Sequence, residues 1–176
     1  MLTKLFPIFL FQIILCQDLE NSNTSPMHVL GIVKENNILK KQKTTFNPSW
    51  VKGLKLLLPC KNTKVPKRST RLPNAARSYR NGTHRGIDFF ANWGTKIRAV
   101  APGMIIRSDQ HYREYPADFR EKMLQSCAIV GYTPSDIFNN VLLGKAVFID
   151  HGFDLVKGFR CITIYAHLSN INKNIE

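Results

Sequence analysis

His84 and Asp88 stand four residues apart in Asn81-Gly82-Thr83-His84-Arg85-Gly86-Ile87-Asp88-Phe89. An even separation puts both side chains on one face of an extended segment, and a glycine between them leaves that face open to a ligand. A neutral imidazole and a carboxylate are suitable donors to zinc. On its own the spacing is also met by an exposed histidine and an ion-paired aspartate. His167, in Tyr165-Ala166-His167-Leu168-Ser169, is the second candidate. Near the end of an apolar strand it could present a ring nitrogen to a substrate oxygen or to a metal-bound water. His151 follows Asp150 and precedes Gly152 at another strand end, where a structural hydrogen bond in the turn is the favoured reading. His28 and His111 have no partner nearby in sequence.

Short strands punctuated by glycine and proline must position these groups. Ile87–Phe90, Lys96–Val100, Met104–Arg107, Ala146–Asp150 and Cys161–His167 read as strands. In the last of them Ile162, Ile164, Ala166 and Leu168 share a face expected to meet the core. Cys161, Thr163, Tyr165 and His167 share the other, expected to line a groove. Between strands, residues 116–143 change character. Pro116-Ala117-Asp118 opens a helix-like run, and Thr133-Pro134 reads as N-cap and first helical position of a second helix. The fold class expected is mainly β (α+β), an antiparallel sheet with a helical insertion around 116–143.

The chain's 176 residues fit one domain with a leader. Lys4 precedes an almost wholly apolar run, Leu5 to Leu15, too short for a helix crossing a bilayer core of about 30 Å. Residues 1–16 therefore read as a signal peptide, which implies export to a periplasmic, cell-envelope or extracellular location. Lipidation at Cys16 is less favoured, because Leu15 is a poor small-residue substitute. Residues 17–50 read as a basic polar arm, with an ordered domain over 51–176. Cys60, Cys127 and Cys161 allow at most one bridge among themselves and show no zinc-binding spacing.

The formal charge is +13, and twelve Lys or Arg lie between Lys40 and Arg80 with no Asp or Glu from 36 to 87. Such a block attracts polyanions, here anionic cell-envelope polymers. Nucleic acid is disfavoured, since no aromatic interleaving or named binding motif accompanies the charge. No serine-hydrolase elbow and no phosphate- or dinucleotide-binding glycine pattern is present.

The order of four blocks adds a resemblance. Tyr79-Arg80-Asn81-Gly82-Thr83-His84-Arg85-Gly86-Ile87-Asp88-Phe89 is followed by Gly94-Thr95-Lys96-Ile97-Arg98-Ala99-Val100-Ala101-Pro102-Gly103. Val147-Phe148-Ile149-Asp150-His151-Gly152 and Ile164-Tyr165-Ala166-His167-Leu168-Ser169 come after. Over roughly 72–169 this resembles the lysostaphin/LytM-type zinc metallopeptidases, which cleave peptide cross-links in bacterial peptidoglycan. The resemblance implies a barrel-sandwich β fold, zinc (Zn2+) held by His84 and Asp88, and His167 as the catalytic histidine. The family's closing H-x-H motif, carrying the third zinc ligand, has no counterpart in this sequence. The chain is therefore expected to be incomplete at its C-terminus and inactive as it stands. The alternative is a non-catalytic module that binds the cell wall or regulates a hydrolase.

Overall fold

A computed structural model describes residues 47–175 throughout and, before them, the backbone of 8–17, 32–35 and 38–41. The architecture is mixed α+β. One antiparallel sheet contains β1 (Ile8–Gln17), β6 (Ile87–Phe90), β7 (Met104–Ser108), β8 (Val147–Asp150) and β9 (Phe159–Ala166). Its strand order is β6-β1-β9-β8-β7, with β6 and β7 as open edges, so it does not close into a barrel. Two small hairpins complete the β structure: β2 (Ile32–Glu35) with β3 (Ile38–Lys41), and β4 (Ala76–Arg77) with β5 (Gly82–Thr83).

Period-two alternation builds a core on both faces of this sheet. Val147, Ile149 and Tyr165 point to one side, where Phe89, Val100, Ala101 and Ile171 join them. Phe148, Ile162, Ile164 and Ala166 point to the other, against Phe138, Leu143 and Ala146. The expectation that Ile162, Ile164 and Ala166 face the core holds. The expectation that the opposite face lines a groove does not. Cys161 and Thr163 are fully buried and Tyr165 is 5 % exposed, because loops 56–58 and 97–101 cover that face.

Those loops also correct the strand expected at Lys96–Val100. Its backbone is bonded outside the sheet: Arg98 N–H donates to Pro59 O, Leu57 N–H donates to Val100 O, and Val100 N–H donates to the Tyr165 hydroxyl. The apolar alternation was real, but it serves a lid over the sheet, not a strand within it.

The insertion is helical, as expected: α1 (Ala117–Val130), α2 (Ser135–Ile137) and a single π-helical turn, Phe138–Leu142. Thr133 is not an N-cap; Pro134 occupies that position without a side-chain cap. The Thr133 hydroxyl accepts from Arg80 Nη1 at 2.7 Å and reaches Arg80 O at 3.2 Å. It ties the insertion to the turn that precedes the β5 strand.

β1 comes from the segment read as a leader. It pairs with β6 along Ile8–Phe11 and with β9 along Leu10–Gln17, so Leu10 lies opposite Asp88 on one side and Ala166 on the other. Met1 to Pro7, His28 and Lys43 lie outside the described residues, as does most of the expected arm. Deleting residues 1–17 would strip a central strand and create two new unpaired edges. We expect the shortened chain to lose its cooperative melt and to aggregate; a sharp, unchanged thermal transition in a monomeric deletion variant would contradict the pairing.

Candidate active site

His84 is delivered by a short hairpin. Asn81 adopts a left-handed conformation (φ 46°) that suits asparagine in a tight turn. β4 and β5 pair beyond it, and the ladder runs on through His84: its N–H donates to Ala75 O at 2.7 Å, and its carbonyl accepts from Asn74 N–H at 2.8 Å. Arg80, 4 % exposed, anchors the hairpin by donating to Thr133 Oγ1 and to Thr83 O. Asp88 comes from β6. Its neighbours Ile87 and Phe89 join the first core cluster, so the Asp88 carboxyl points to the opposite face, the one the insertion covers.

The two side chains meet. His84 Nε2 lies 2.9 Å from Asp88 Oδ1, both largely buried. His84 Nδ1 lies 3.0 Å from Leu72 O. A carbonyl only accepts, so Nδ1 carries a hydrogen, and in the tautomer with its single hydrogen there Nε2 keeps a lone pair. That nitrogen has no hydrogen-bond partner of good geometry among the described residues. An ionised carboxylate is also only an acceptor, so two lone pairs converge on a space that a proton or a metal cation would fill. Two zinc bonds of 2.0–2.2 Å at a tetrahedral angle would separate the donors by roughly 3.3 Å. Only a few tenths of an ångström of opening separate the observed pair from that bite.

Charge around the pair is mixed. Burial pushes the Asp88 pKa up, while His84, Arg77 and Arg71 oppose this. Arg77 Nη2 is 3.5 Å from Asp88 Oδ2. The Arg85 guanidinium lies over the Phe138 ring at 4.4 Å, on the side that the insertion covers. His167 follows β9 directly, at φ 57°. Its N–H donates to Leu143 O, and its pKa is pushed down to about 4 by burial, by Arg120 and by His84. At neutral pH His167 is uncharged. Among the described residues no three His, Cys, Asp or Glu side chains are grouped to hold a metal ion.

His151 has the structural role expected of it. It is 3 % exposed, with Nδ1 2.6 Å from Pro102 O and Nε2 2.8 Å from Thr163 Oγ1. Gly103 makes this possible: a Cβ there would sit 2.6 Å from Asp150 O and 2.7 Å from His151 Nδ1. Asp150 accepts from Gly152 N–H at 2.9 Å and from both Arg160 donors, which hold its carboxyl below the usual range. Cys60 and Cys127 are buried thiols outside any disulfide, and burial pushes the Cys60 thiol up. Cys161 is fully buried in β9.

Sequence reading paired His84 with Asp88 and missed the groups that tune them. Leu72 acts through a carbonyl, which leaves no side-chain signal, and Arg77 and Arg71 read only as two charges of the basic stretch. Compared with family models, with curated proteins and with solved structures, the chain gives no match.

Two outcomes test this frame. Gly103→Ala should destabilise by about 1–3 kcal/mol in chemical denaturation, because the added methyl meets backbone that cannot yield. Asp150→Asn should cost about 1 kcal/mol at neutral pH, since Arg160 is half exposed. A lowered native pKa stabilises above the unfolded carboxylate value, about 3.9, and that contribution is lost as pH falls through the native value. The gap between wild type and Asp150→Asn should therefore close in acid; a gap that widens there would refute the assigned ion pair.

Proposed function

We propose that this chain is a zinc metalloendopeptidase domain of the lysostaphin/LytM type, directed at peptidoglycan peptide cross-links. The observation that carries the reading is His84 Nε2 facing Asp88 Oδ1 at 2.9 Å, with the other ring nitrogen held by the Leu72 carbonyl at 3.0 Å. The order of the four motifs and the depression of the His167 pKa by burial, Arg120 and His84 support it. His84 Nε2 and Asp88 Oδ1 would hold the ion, which supplies Lewis-acid polarisation of a carbonyl and a water of lowered pKa. His167 offers one lone pair and one N–H. With a pKa near 4 it is a weak base. Its better role is to orient the attacking water and to donate to the developing oxyanion.

Catalytic zinc sites usually combine three protein ligands with water. With two donors the ion is held weakly, and turnover by this chain alone is not expected. Titration of zinc into the full chain should show binding that weakens on His84→Ala or Asp88→Asn by at least the about 10–100-fold typical of losing an outer-shell partner. Zinc affinity indifferent to both substitutions would sink the reading, as would chelator-insensitive cleavage of cross-linked muropeptides.

The second reading is a non-catalytic module that binds anionic envelope polymers. Lys52, Lys55, Lys61, Lys64, Lys67 and Arg68 are exposed, whereas Arg77 and Arg80 of the same basic stretch are engaged within the fold. Salt-sensitive pelleting with peptidoglycan sacculi, together with absent zinc binding, would put this reading first.

A further inference from the structure

The turn that holds the His84–Asp88 pair in place also presents an arginine at its rim. Ser69–Arg71 form one 3-10 turn, closed by Arg71 N–H to Arg68 O at 2.9 Å and Leu72 N–H to Ser69 O at 3.0 Å. The carbonyls on either side of Arg71 are both committed to the pair. Thr70 O accepts from Arg77 Nη2 at 3.1 Å, the same nitrogen that lies 3.5 Å from Asp88 Oδ2. Leu72 O accepts from His84 Nδ1 at 3.0 Å. The Arg71 backbone is therefore tied to both candidate donors through its two neighbours.

Phe90 ties the Arg71 side chain to the same place. The guanidinium carbon lies 3.6 Å from the centroid of the Phe90 ring. Phe90 stands two residues after Asp88 on β6, and Ile87 and Phe89 face the first core cluster, so Asp88 and Phe90 share the opposite face. Two residues of strand span about 7 Å. Phe90 is 39 % exposed and Asp88 only 8 %, so this face opens to solvent at the strand's end. An aromatic ring supports a guanidinium without using its N–H groups. Asp88 pairs with Arg77, whereas Arg71 makes no hydrogen bond or ion pair through its side chain among the described residues. The result is a half-buried, permanently charged fork of N–H donors, preset on a ring just outside a buried carboxylate that already has its partners.

We propose that Arg71, mounted on Phe90, is a carboxylate-binding subsite for the substrate peptide. A carboxylate matches the guanidinium fork through two parallel N–H···O bonds. The inference rests on the peptidase reading and adds a selectivity to it. A peptide whose reacting carbonyl lies at His84 and Asp88 is held best when it carries a carboxylate about 7 Å away, which is about two residues of extended chain. The carboxylate has two sources, a chain terminus or an acidic side chain.

The test titrates three N-acetylated tetrapeptides into the isotope-labelled full chain, followed by NMR. The first is alanine-only with a free C-terminus, the second is its C-terminal amide, and the third is the amide with glutamate at the third position. We expect the free-terminus peptide, the glutamate peptide or both to bind about tenfold more tightly than the plain amide, the scale of a hydrogen bond to a charged group. The same peptide should shift the Arg71 Nε–H resonance, and which one does so identifies the source. Arg71→Gln should erase the preference. Arg71→Lys, which keeps the charge and loses the fork, should retain only part of it. Phe90→Leu, which keeps an apolar contact and removes the ring, should reduce it severalfold.

Each titration is run with zinc and with chelator. Zinc affinity indifferent to His84→Ala and Asp88→Asn, with the Arg71-dependent preference intact, would fail the peptidase reading and leave the carboxylate subsite standing. Equal binding of all three peptides, no binding of any of them, or a preference unchanged in Arg71→Gln with a native melt would overturn the subsite. So would an equal loss in Lys67→Gln, at an exposed lysine of the same basic stretch, since the preference would then follow net charge alone.

Discussion

The structure depends on a strand that is buried on both faces. In β9, Ile164 and Ala166 pack toward the insertion while Thr163 and Tyr165 pack under the loops at 56–58 and 97–101. Neither face can turn to solvent without opening a core. The polar groups on the loop side persist because each is satisfied. The Thr163 hydroxyl meets His151 Nε2, and the Tyr165 hydroxyl receives the Val100 N–H. With β9 fixed in this way, the residue that follows it has little freedom. His167 enters a left-handed turn whose N–H is taken by Leu143.

Much of this was legible in the residues. The strands at Ile87, Val147 and Phe159 follow apolar alternation and glycine punctuation, and the insertion follows its proline and charge pattern. The pairing of His84 with Asp88 follows from their spacing. The unread parts have a common physical cause, which is that pattern reports burial and not partner. Lys96–Val100 alternates because its side chains are half in a core, yet its amides bond to a loop. Thr133 sits before a proline as a cap should, but a buried guanidinium from 53 residues upstream offered a stronger bond. Cys161, Thr163 and Tyr165 looked like a groove face because they are semi-polar, and a second layer absorbed them.

The charge distribution is also less uniform than the run of lysines and arginines suggests. Three arginines of the basic stretch are held by the fold: Arg80 pins the hairpin, Arg77 leans on Asp88, and Arg71 covers the Phe90 ring at 3.6 Å. Positive charge thus surrounds the carboxylate expected to bind a cation, and Arg120 helps to depress the pKa of the histidine expected to handle the substrate. A site built this way is tuned by its arginines at least as much as by its two nominal ligands.

The placement of β1 has a consequence for the order of folding. The strand that separates Asp88 from Ala166 is drawn from residues 8–17, and its longest pairing is with 159–166. Contacts so distant along the chain form late and slowly, because the loop between them must close first. The two halves of the site therefore cannot be brought into register until the chain has been synthesised through β9. Any engagement that holds the N-terminal segment elsewhere during synthesis keeps the sheet open. A polypeptide with this topology is slow to acquire its compact form by construction.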